Sequence, residues 1–207
     1  MKVRTESRKA AIVEAAASVF LEMGYEGASM NEVSRRAGGS KATLYGYFPS
    51  KETLFTAVVE QYAMSHLANA VKTLQLPADD HAKLRNMLLQ FAESVLTVLI
   101  NDTAALAVYR MVVGESGRSE VGKIFHESGP QQCVDALSRV LRSAMERGLL
   151  RESDPVLRAS QLLSLTTGEC DSRLYQLAPE PLTLHQIKVM AEAAVEMFLH
   201  GASVAHG

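Results

Sequence analysis

The segment over residues 29–51 contains the side chains whose types and spacing best suit a chemical task. Hydroxyl and ammonium groups recur between Ser40 and Pro49, and such groups donate hydrogen bonds to the phosphates of nucleic acids. The donors are Lys41, Thr43, Tyr45 and Tyr47. Leu44 and Phe48 are four residues apart, so they lie on one face of a helix and can anchor it to a core. The pattern therefore predicts a DNA recognition helix.

End signals in the sequence predict the elements that position this helix. Ser29 followed by Glu32 has the spacing of a capping box and begins one helix. Gly38-Gly39 ends it, because glycine adopts left-handed backbone angles at little cost. Ser40 begins the next helix, and Pro49 ends it after about two turns. Two short helices joined by a tight glycine turn are typical of a helix-turn-helix.

Residues 8–55 resemble the DNA-binding domain of the TetR family of transcriptional regulators. The matching segments are residues 8–23, 24–30, 37–38, 40–45 and 48–55. The chain departs from the family pattern at Gly39, where an aliphatic residue is usual, and at Tyr47, which replaces a frequent histidine. It also has Gly46 within the recognition helix, where glycine costs about 0.5–1 kcal/mol relative to alanine. We interpret Gly46 as allowing close approach to DNA, with a loose unbound helix as the alternative.

The segment and the resemblance together give a set of predicted DNA-contacting residues. They are Ser29, Ser40, Lys41, Ala42, Thr43, Tyr45, Gly46, Tyr47 and Lys51. We expect Thr43, Lys51 and the two tyrosines to bond phosphates. Ala42 and Gly46 are small residues, so this side of the helix can approach the DNA groove closely. Few of these side chains are suited to reading base edges, so the shape of the DNA is expected to contribute to recognition.

Charge is distributed unevenly along the chain. The 207 residues are 47% hydrophobic and carry a formal net charge of −2, which argues against a protein covered in nucleic acid. Residues 1–50 hold seven basic and five acidic side chains, and the remainder holds fourteen and eighteen. This distribution suits a protein that meets DNA with one end only, although so small an excess also arises by chance.

The N-terminal residues are polar and basic, without the apolar stretch of a signal peptide. No run approaches the roughly 18 apolar residues of a membrane span. We therefore expect a cytoplasmic protein without a membrane partner, of bacterial origin if the resemblance holds. In that compartment Cys133 and Cys170 are expected to be reduced core residues, with a redox switch as the alternative.

The chain beyond Ser50 has the spacing and end signals of helices, and no stretch alternates with period two. The predicted helices cover residues 51–74, 79 or 80 to 101, 102–113, 131–147, 155–177 and 183–200, with a loop over 114–122. We therefore predict an all-α protein of about nine helices. Residues 1–50 form a helix-turn-helix DNA-binding domain, and residues 51–207 form a helical ligand-binding and dimerisation domain.

The helices predicted over 155–177 and 183–200 are broadly apolar, the first of them on more than one side. A helix with that pattern is either deeply buried or faces a partner. Helix-turn-helix proteins read inverted repeats with two copies about one turn of DNA apart. We therefore predict a homodimer through these two helices, as the resemblance also implies. An ordinary monomer core is the alternative.

The resemblance further implies a ligand chamber in the middle helices. Candidate lining residues are apolar with a few hydroxyl groups, as is usual for small-molecule sites. They are Tyr62, Met87, Phe91, Tyr109, Phe125, Met145 and Tyr175. They indicate a small apolar or amphipathic ligand, although each also suits ordinary core packing. Residues 106–130 resemble the AefR-like branch of the family, which does not identify the ligand.

Catalytic and cofactor chemistry is not indicated by the sequence. The six histidines lack pairing at three- or four-residue spacing, and no glycine loop follows a strand. The cysteines and histidines do not have the spacing of a zinc site. We therefore predict no enzyme, no cofactor and no metal site.

The predicted function is that of a TetR-like regulator, a repressor by resemblance. It binds a palindromic operator as a dimer and is released by a small-molecule ligand in the C-terminal domain. The alternative is a helical dimer that binds DNA structurally, or binds a partner protein, without small-molecule control. A cavity of ligand size within residues 51–207 would favour the regulator. A domain without such a cavity would favour the alternative.

Overall fold

The computed structural model describes residues 5–74 and 77–203 of the chain. In chain order the helices are α1 (Glu6–Gly27), α2 (Met30–Arg36), α3 (Lys41–Tyr47), α4 (Lys51–Val59), α5 (Ser65–Lys72), α6 (His81–Asn101), α7 (Thr103–Glu115), α8 (Val121–Ser128), α9 (Pro130–Glu146), α10 (Pro155–Thr167), α11 (Asp171–Leu174) and α12 (Leu184–Ala202). No β-strand occurs within the described residues. The all-α class is confirmed, and the predicted number of about nine fits the longer helices.

The helices fall into two compact units. The first unit comprises Met1–Met64 and Ala107–Ser128, and therefore includes α1 to α4 and α8. The second unit comprises Ser65–Leu106 and Gly129–Gly207, and includes α5, α6 and α9 to α12. Helix α7 contributes residues to both.

The first unit is built around three aromatic rings. Phe20 stacks on Tyr25 with ring centroids 5.7 Å apart, and Phe55 meets these two rings edge-on at 5.4 and 5.1 Å. Aromatic pairs of this kind contribute about 0.5–1.5 kcal/mol beyond the burial of their surface. Because Phe20 lies on α1 and Phe55 on α4, the cluster holds these two helices together and gives α2 and α3 a fixed support.

Helix α1 contains a break at Gly24, whose φ is 69°. A Cβ added at Gly24 would come within 2.8 Å of a carboxylate oxygen of Glu115. Glycine is required here by the backbone conformation, whereas the Glu115 carboxylate ends a flexible side chain and could move aside. The helix predicted over residues 8–23 stops at this break.

The second unit has one apolar core, in which α6 packs on α12 and α9 packs on α10. Phe91 from α6, Leu137 from α9 and Val195 from α12 are fully buried in it. At the surface of this unit, Arg85 Nε donates to Glu196 Oε1 at 2.5 Å and joins α6 to α12. These contacts hold α12 in place while leaving its outer face open.

Two predicted helices are interrupted in the structure. A π-helical turn, Glu60–Met64, separates α4 from α5 where one long helix was predicted over residues 51–74. This stretch contains no glycine or proline, so no residue in the sequence marks the change. The helix predicted over 155–177 ends at Thr167 and continues as a 3-10 turn, Gly168–Cys170, and the short α11. Gly168 marks this second break, because glycine disfavours a helix interior.

Other predicted boundaries lie close to the observed ones. The loop predicted over residues 114–122 is shorter, because α7 continues to Glu115 and α8 begins at Val121. Gly148 follows α9 with φ of 73°, as expected for a C-terminal stop. Thr183 and Gln186 form the predicted capping box of α12.

No single helix in the described part of the chain is long and apolar enough to cross a membrane. Helices α6 and α7 reach the length and apolar composition of a span only together, and a bend of 82° at Asp102 separates them. Much of α6 is instead buried in the core of the second unit.

Candidate nucleic-acid interface

Helix α2 begins at Ser29, whose Oγ accepts a hydrogen bond from the backbone N–H of Glu32 at 3.2 Å. The capping box predicted for this pair is only half formed. The carboxylate of Glu32 accepts instead from Arg35 at 2.6 and 2.9 Å and from Arg36 at 2.9 Å. A guanidinium competes better for a carboxylate than a neutral backbone N–H does, because the bond is charge-assisted.

An ion-pair network joins α2 to α1. Arg36 makes two parallel bonds of 2.6 Å to the carboxylate of Glu22 and also contacts Glu32. Hydrogen bonds from Arg35 and Arg36 lower the pKa of Glu32 to about 2. The sequence analysis did not identify this network. Its local part was visible as glutamate and arginine three and four residues apart, but the Glu22 contact spans fourteen residues.

The turn between α2 and α3 uses both glycines. Gly38 has φ of 65°, which favours glycine. The N–H of Gly39 donates to the carbonyl of Ser34 at 3.1 Å, and the Ser34 hydroxyl donates to the Gly39 carbonyl at 2.8 Å. Ser40 then caps α3 by accepting from the N–H of Thr43 at 3.1 Å.

Helix α3 buries the two predicted anchors, but it exposes only two of the four predicted donors, Lys41 and Tyr45. Leu44 is buried within α3, and Phe48, which follows the helix, is buried as well. Lys41, Ala42 and Tyr45 are exposed, with 48% of the Tyr45 surface accessible. Thr43, Gly46 and Tyr47 are partly buried between these two faces. The exposed face thus offers an ammonium group and a phenol hydroxyl beside two small residues.

Tyr47 and Lys51 are engaged within the first unit. The Tyr47 hydroxyl accepts a hydrogen bond from the N–H of Thr5 at 2.9 Å. Lys51 Nζ donates to the carbonyls of Tyr25 at 2.9 Å and Ala28 at 3.4 Å, and lies 4.3 Å from the centroid of the Tyr25 ring. Burial, followed by the negative charge of Glu52, raises the pKa of Tyr25 to about 12. The Lys51 ammonium therefore ties the start of α4 to the segment between α1 and α2, in addition to its predicted role at DNA.

The seven predicted ligand residues lie in both units. Tyr62, Tyr109 and Phe125 belong to the first unit, where the rings of Tyr109 and Phe125 lie 5.6 Å apart. The other four, Met87, Phe91, Met145 and Tyr175, belong to the second. There Phe91 is fully buried in the core, and Met87 and Met145 pack against it. Tyr175 is 87% exposed.

An open groove of about 750 Å³ runs between α10 and α12, the helices predicted to form the dimer. Its apolar lining includes Leu165, Ala194, Met197 and Phe198. Met197 is 66% exposed, and Leu157 and Val189 are further exposed apolar residues on the same two helices. None of the seven predicted ligand residues lines this groove.

Both cysteines are buried in the second unit. Burial raises the pKa of the Cys133 thiol to about 11. A thiol with that pKa is protonated at neutral pH and is a poor nucleophile. Within the described residues, no group of three histidine, cysteine or acidic side chains is arranged to hold a metal ion.

Two protein-family models match the chain. Residues 12–58 match the family described as bacterial regulatory proteins, tetR family. Residues 86–201, a little over half of the chain, match the family described as AefR-like transcriptional repressor, C-terminal domain. The matched families are regulators and not enzymes.

The chain is also similar to individual transcriptional regulators. The structure of the flavonoid-responsive regulator FrrA is 32% identical in sequence, with a TM-score of 0.77, over 98% of this chain and all of that chain. A putative TetR-family regulator from Mesorhizobium loti is 27% identical, with a TM-score of 0.78, over the same shares. The transcriptional activator FasR of Mycolicibacterium smegmatis is 34% identical over 80 residues, which are 39% of this chain and 36% of FasR. The chain thus spans about a third of FasR.

Proposed function

The chain belongs to the TetR family of transcriptional regulators, and from this we propose that it binds a palindromic operator as a dimer and is released by a small-molecule ligand. The observation that carries the proposal is the exposed face of α3. There Lys41 and Tyr45 point away from the buried anchors Leu44 and Phe48. Hydroxyl and ammonium donors position a protein on the DNA backbone, and small neighbours let the helix enter the major groove.

The proposed DNA contacts differ in kind. Lys41, Thr43 and Tyr45 bond phosphates, and Ala42 and Gly46 face the base edges. Ser29 and Ser40 lie at the starts of α2 and α3, where each also caps its helix. Tyr47 and Lys51 combine a phosphate contact with the internal bonds that hold α1, α3 and α4 together.

The proposed dimer forms through α10 and α12. A second copy filling the open groove between these helices would bury Leu165, Met197 and the apolar residues beside them. One short recognition helix binds weakly, whereas two copies can reach successive major grooves about 34–36 Å apart. Members of this family typically act as dimers, which supports the arrangement.

The proposed ligand is a small apolar or amphipathic molecule, bound by residues 51–207. FrrA, the flavonoid-responsive relative at 32% identity, supports a small aromatic compound as the first class to test. That the seven residues named above line its site stays a prediction, and Tyr175, at 87% exposed, is the least suited of them to an enclosed chamber. The matched C-terminal family is described as a repressor, and from this we infer repression. We infer a cytoplasmic location, because a bacterial promoter is regulated in that compartment.

Release requires two states of the dimer that differ in the separation of their recognition helices. A ligand shifts the balance between them only by its difference in affinity for the two states. To change a population from about 1:99 to 99:1, that difference must be about 10⁴-fold. Lys51 lies at the start of α4, so a tilt of α4 would displace the contacts of this lysine at the α1–α2 segment.

Selection of duplexes from a random library with the purified protein, at a stated salt concentration, tests the proposed function. We expect enrichment of an inverted repeat with half-sites about one helical turn apart. Binding without any enriched sequence would contradict operator recognition and favour the structural DNA-binding alternative. A flavonoid panel added to the selected complex then tests release, which should appear as loss of the bound duplex at saturating ligand.

A further inference from the structure

The turn before the recognition helix has no side chain at Gly39, and the guanidinium of Arg8 occupies the space that a side chain would fill. A Cβ added at Gly39 would overlap a terminal nitrogen of the Arg8 guanidinium and lie 3.4 Å from its Cζ. The guanidinium of Arg8 therefore rests directly on the backbone of this turn. Ser40, the next residue along the chain, is the N-cap of α3.

The start of α1 lies along α3 and holds Arg8 in this position. At the C-terminal end of α3, the N–H of Thr5 donates to the Tyr47 hydroxyl at 2.9 Å. At the other end, Arg8 reaches Gly39. Ile12, one turn after Arg8 on the same face of α1, is buried in the first unit. Two contacts and a buried anchor thus fix the first turn of α1 beside the recognition helix.

The charge of Arg8 is available to a ligand. In the part of the chain that the structure describes, no carboxylate or carbonyl accepts a hydrogen bond from its guanidinium. The two other arginines among residues 5–50, Arg35 and Arg36, are both paired with Glu32, and Arg36 also with Glu22. A guanidinium carries five N–H donors in a planar fork that matches a phosphate. An unpaired guanidinium beside a recognition helix is suited to bind one.

We propose that Arg8 is a further DNA-contacting residue, which binds a backbone phosphate next to the segment entered by α3. In this arrangement the missing side chain at Gly39 leaves room for the guanidinium, which a larger residue would push aside. The inference rests on the proposed function, because it presupposes that α3 lies in the major groove. It adds one charged phosphate contact per protomer from outside the helix-turn-helix.

The test is the salt dependence of binding to the selected duplex, measured for the wild type, Arg8→Ala and Lys9→Ala. Lys9→Ala is the matched control, since this substitution removes the same charge from the neighbouring position of α1. Lys9 lines a different groove, between α1 and α4, with Val13, Ala57 and Glu60. Each neutralised phosphate contributes about 0.9 to the slope of log K against log salt. We expect Arg8→Ala to lower the slope of the dimer by about 1.8, with an unchanged sequence motif, and Lys9→Ala to keep it.

A second variant tests the role of Gly39. Gly39→Ala is expected to displace the guanidinium and lower the slope, while Arg8→Ala combined with Gly39→Ala lowers it no further. Thermal unfolding of each variant verifies that α1 to α4 remain folded. If Gly39→Ala unfolds, Arg8→Ala alone decides the question. A wild-type slope in Arg8→Ala would overturn the assignment of Arg8. Absence of specific binding by the wild type would overturn the proposed function as well, so the two failures are distinguishable.

Discussion

Tyr45 is the residue on which phosphate recognition by α3 can be tested most cleanly. About half of its surface is exposed, and no described residue hydrogen-bonds its hydroxyl. The neighbouring Ala42 is also exposed but has no polar group. Substitutions at these two residues can therefore distinguish contacts to the DNA backbone from contacts to its bases, because only base contacts carry sequence information.

Tyr45→Phe removes the hydroxyl and keeps the ring. We expect binding to every duplex to weaken about tenfold or more, because a hydrogen bond to a charged group contributes about 1.5–3 kcal/mol. The selected sequence should stay the same. Ala42→Gln, which adds an amide able to pair with adenine, should instead change the selected sequence. An identical change of motif in both variants would contradict this division of roles.

Cys133 gives a prediction about pH. Its thiol has a pKa of about 11 in the folded protein, raised by burial from an ordinary value of 9.0. The native state therefore holds the proton more tightly than the unfolded state does. The stabilisation is complete below pH 9 and is lost as the pH rises towards 11. Urea unfolding should show a steeper loss of stability over this range in the wild type than in Cys133→Ala. Parallel curves for the two proteins would be inconsistent with a buried neutral thiol.

At the scale of elements, the local signals of the sequence agree well with the structure. Ser29, Ser40 and Thr183 each begin a helix as predicted. These signals succeed because a cap satisfies backbone groups within three residues of itself. The π-helical turn at Glu60–Met64 was missed because no glycine or proline marks it.

Contacts between distant residues could not be predicted from spacing. Lys51 bonds Tyr25 and Ala28, which lie 26 and 23 positions earlier in the chain. Arg36 bonds Glu22, which lies fourteen positions earlier. Arg8 lies 31 positions before Gly39, and only the packing of α1 brings the two together. Periodicity describes which face of a helix is apolar, but not which helix covers it.

Gly46→Ala tests why α3 contains a glycine. Gly46 is within the helix and is not among the glycines with positive φ. Alanine should therefore raise the free energy of unfolding by about 0.5–1 kcal/mol, measured by denaturant unfolding. If Gly46 permits close approach to DNA, the more stable variant will bind its operator more weakly. Unchanged or tighter binding would show that the glycine only loosens the unbound helix.

At the scale of the whole molecule, operator binding depends on two copies of the chain. The apolar groove between α10 and α12 is open, and its lining is suited to a second copy. The described surface of these helices also exposes Leu157, Val189 and Met197. Exposed apolar patches of this kind usually mark an interaction site.

Met197→Glu places a charge in this groove. We expect the variant to sediment as a monomer and to lose specific DNA binding, because an unpaired buried charge is costly. Met23→Glu, which adds the same charge to an exposed position of α1, is the control and should remain dimeric. A dimeric Met197→Glu variant would place the interface elsewhere.

Hydroxyl-radical footprinting of the selected duplex tests the central claim most directly, because it reports each sugar that the protein covers. Recognition by the exposed face of α3 in a dimer predicts two protected patches related by the symmetry of the inverted repeat. Their centres should lie about 34–36 Å apart, one turn of DNA. Tyr45→Phe should weaken both patches equally. One patch alone, or uniform protection along the duplex, would contradict the account.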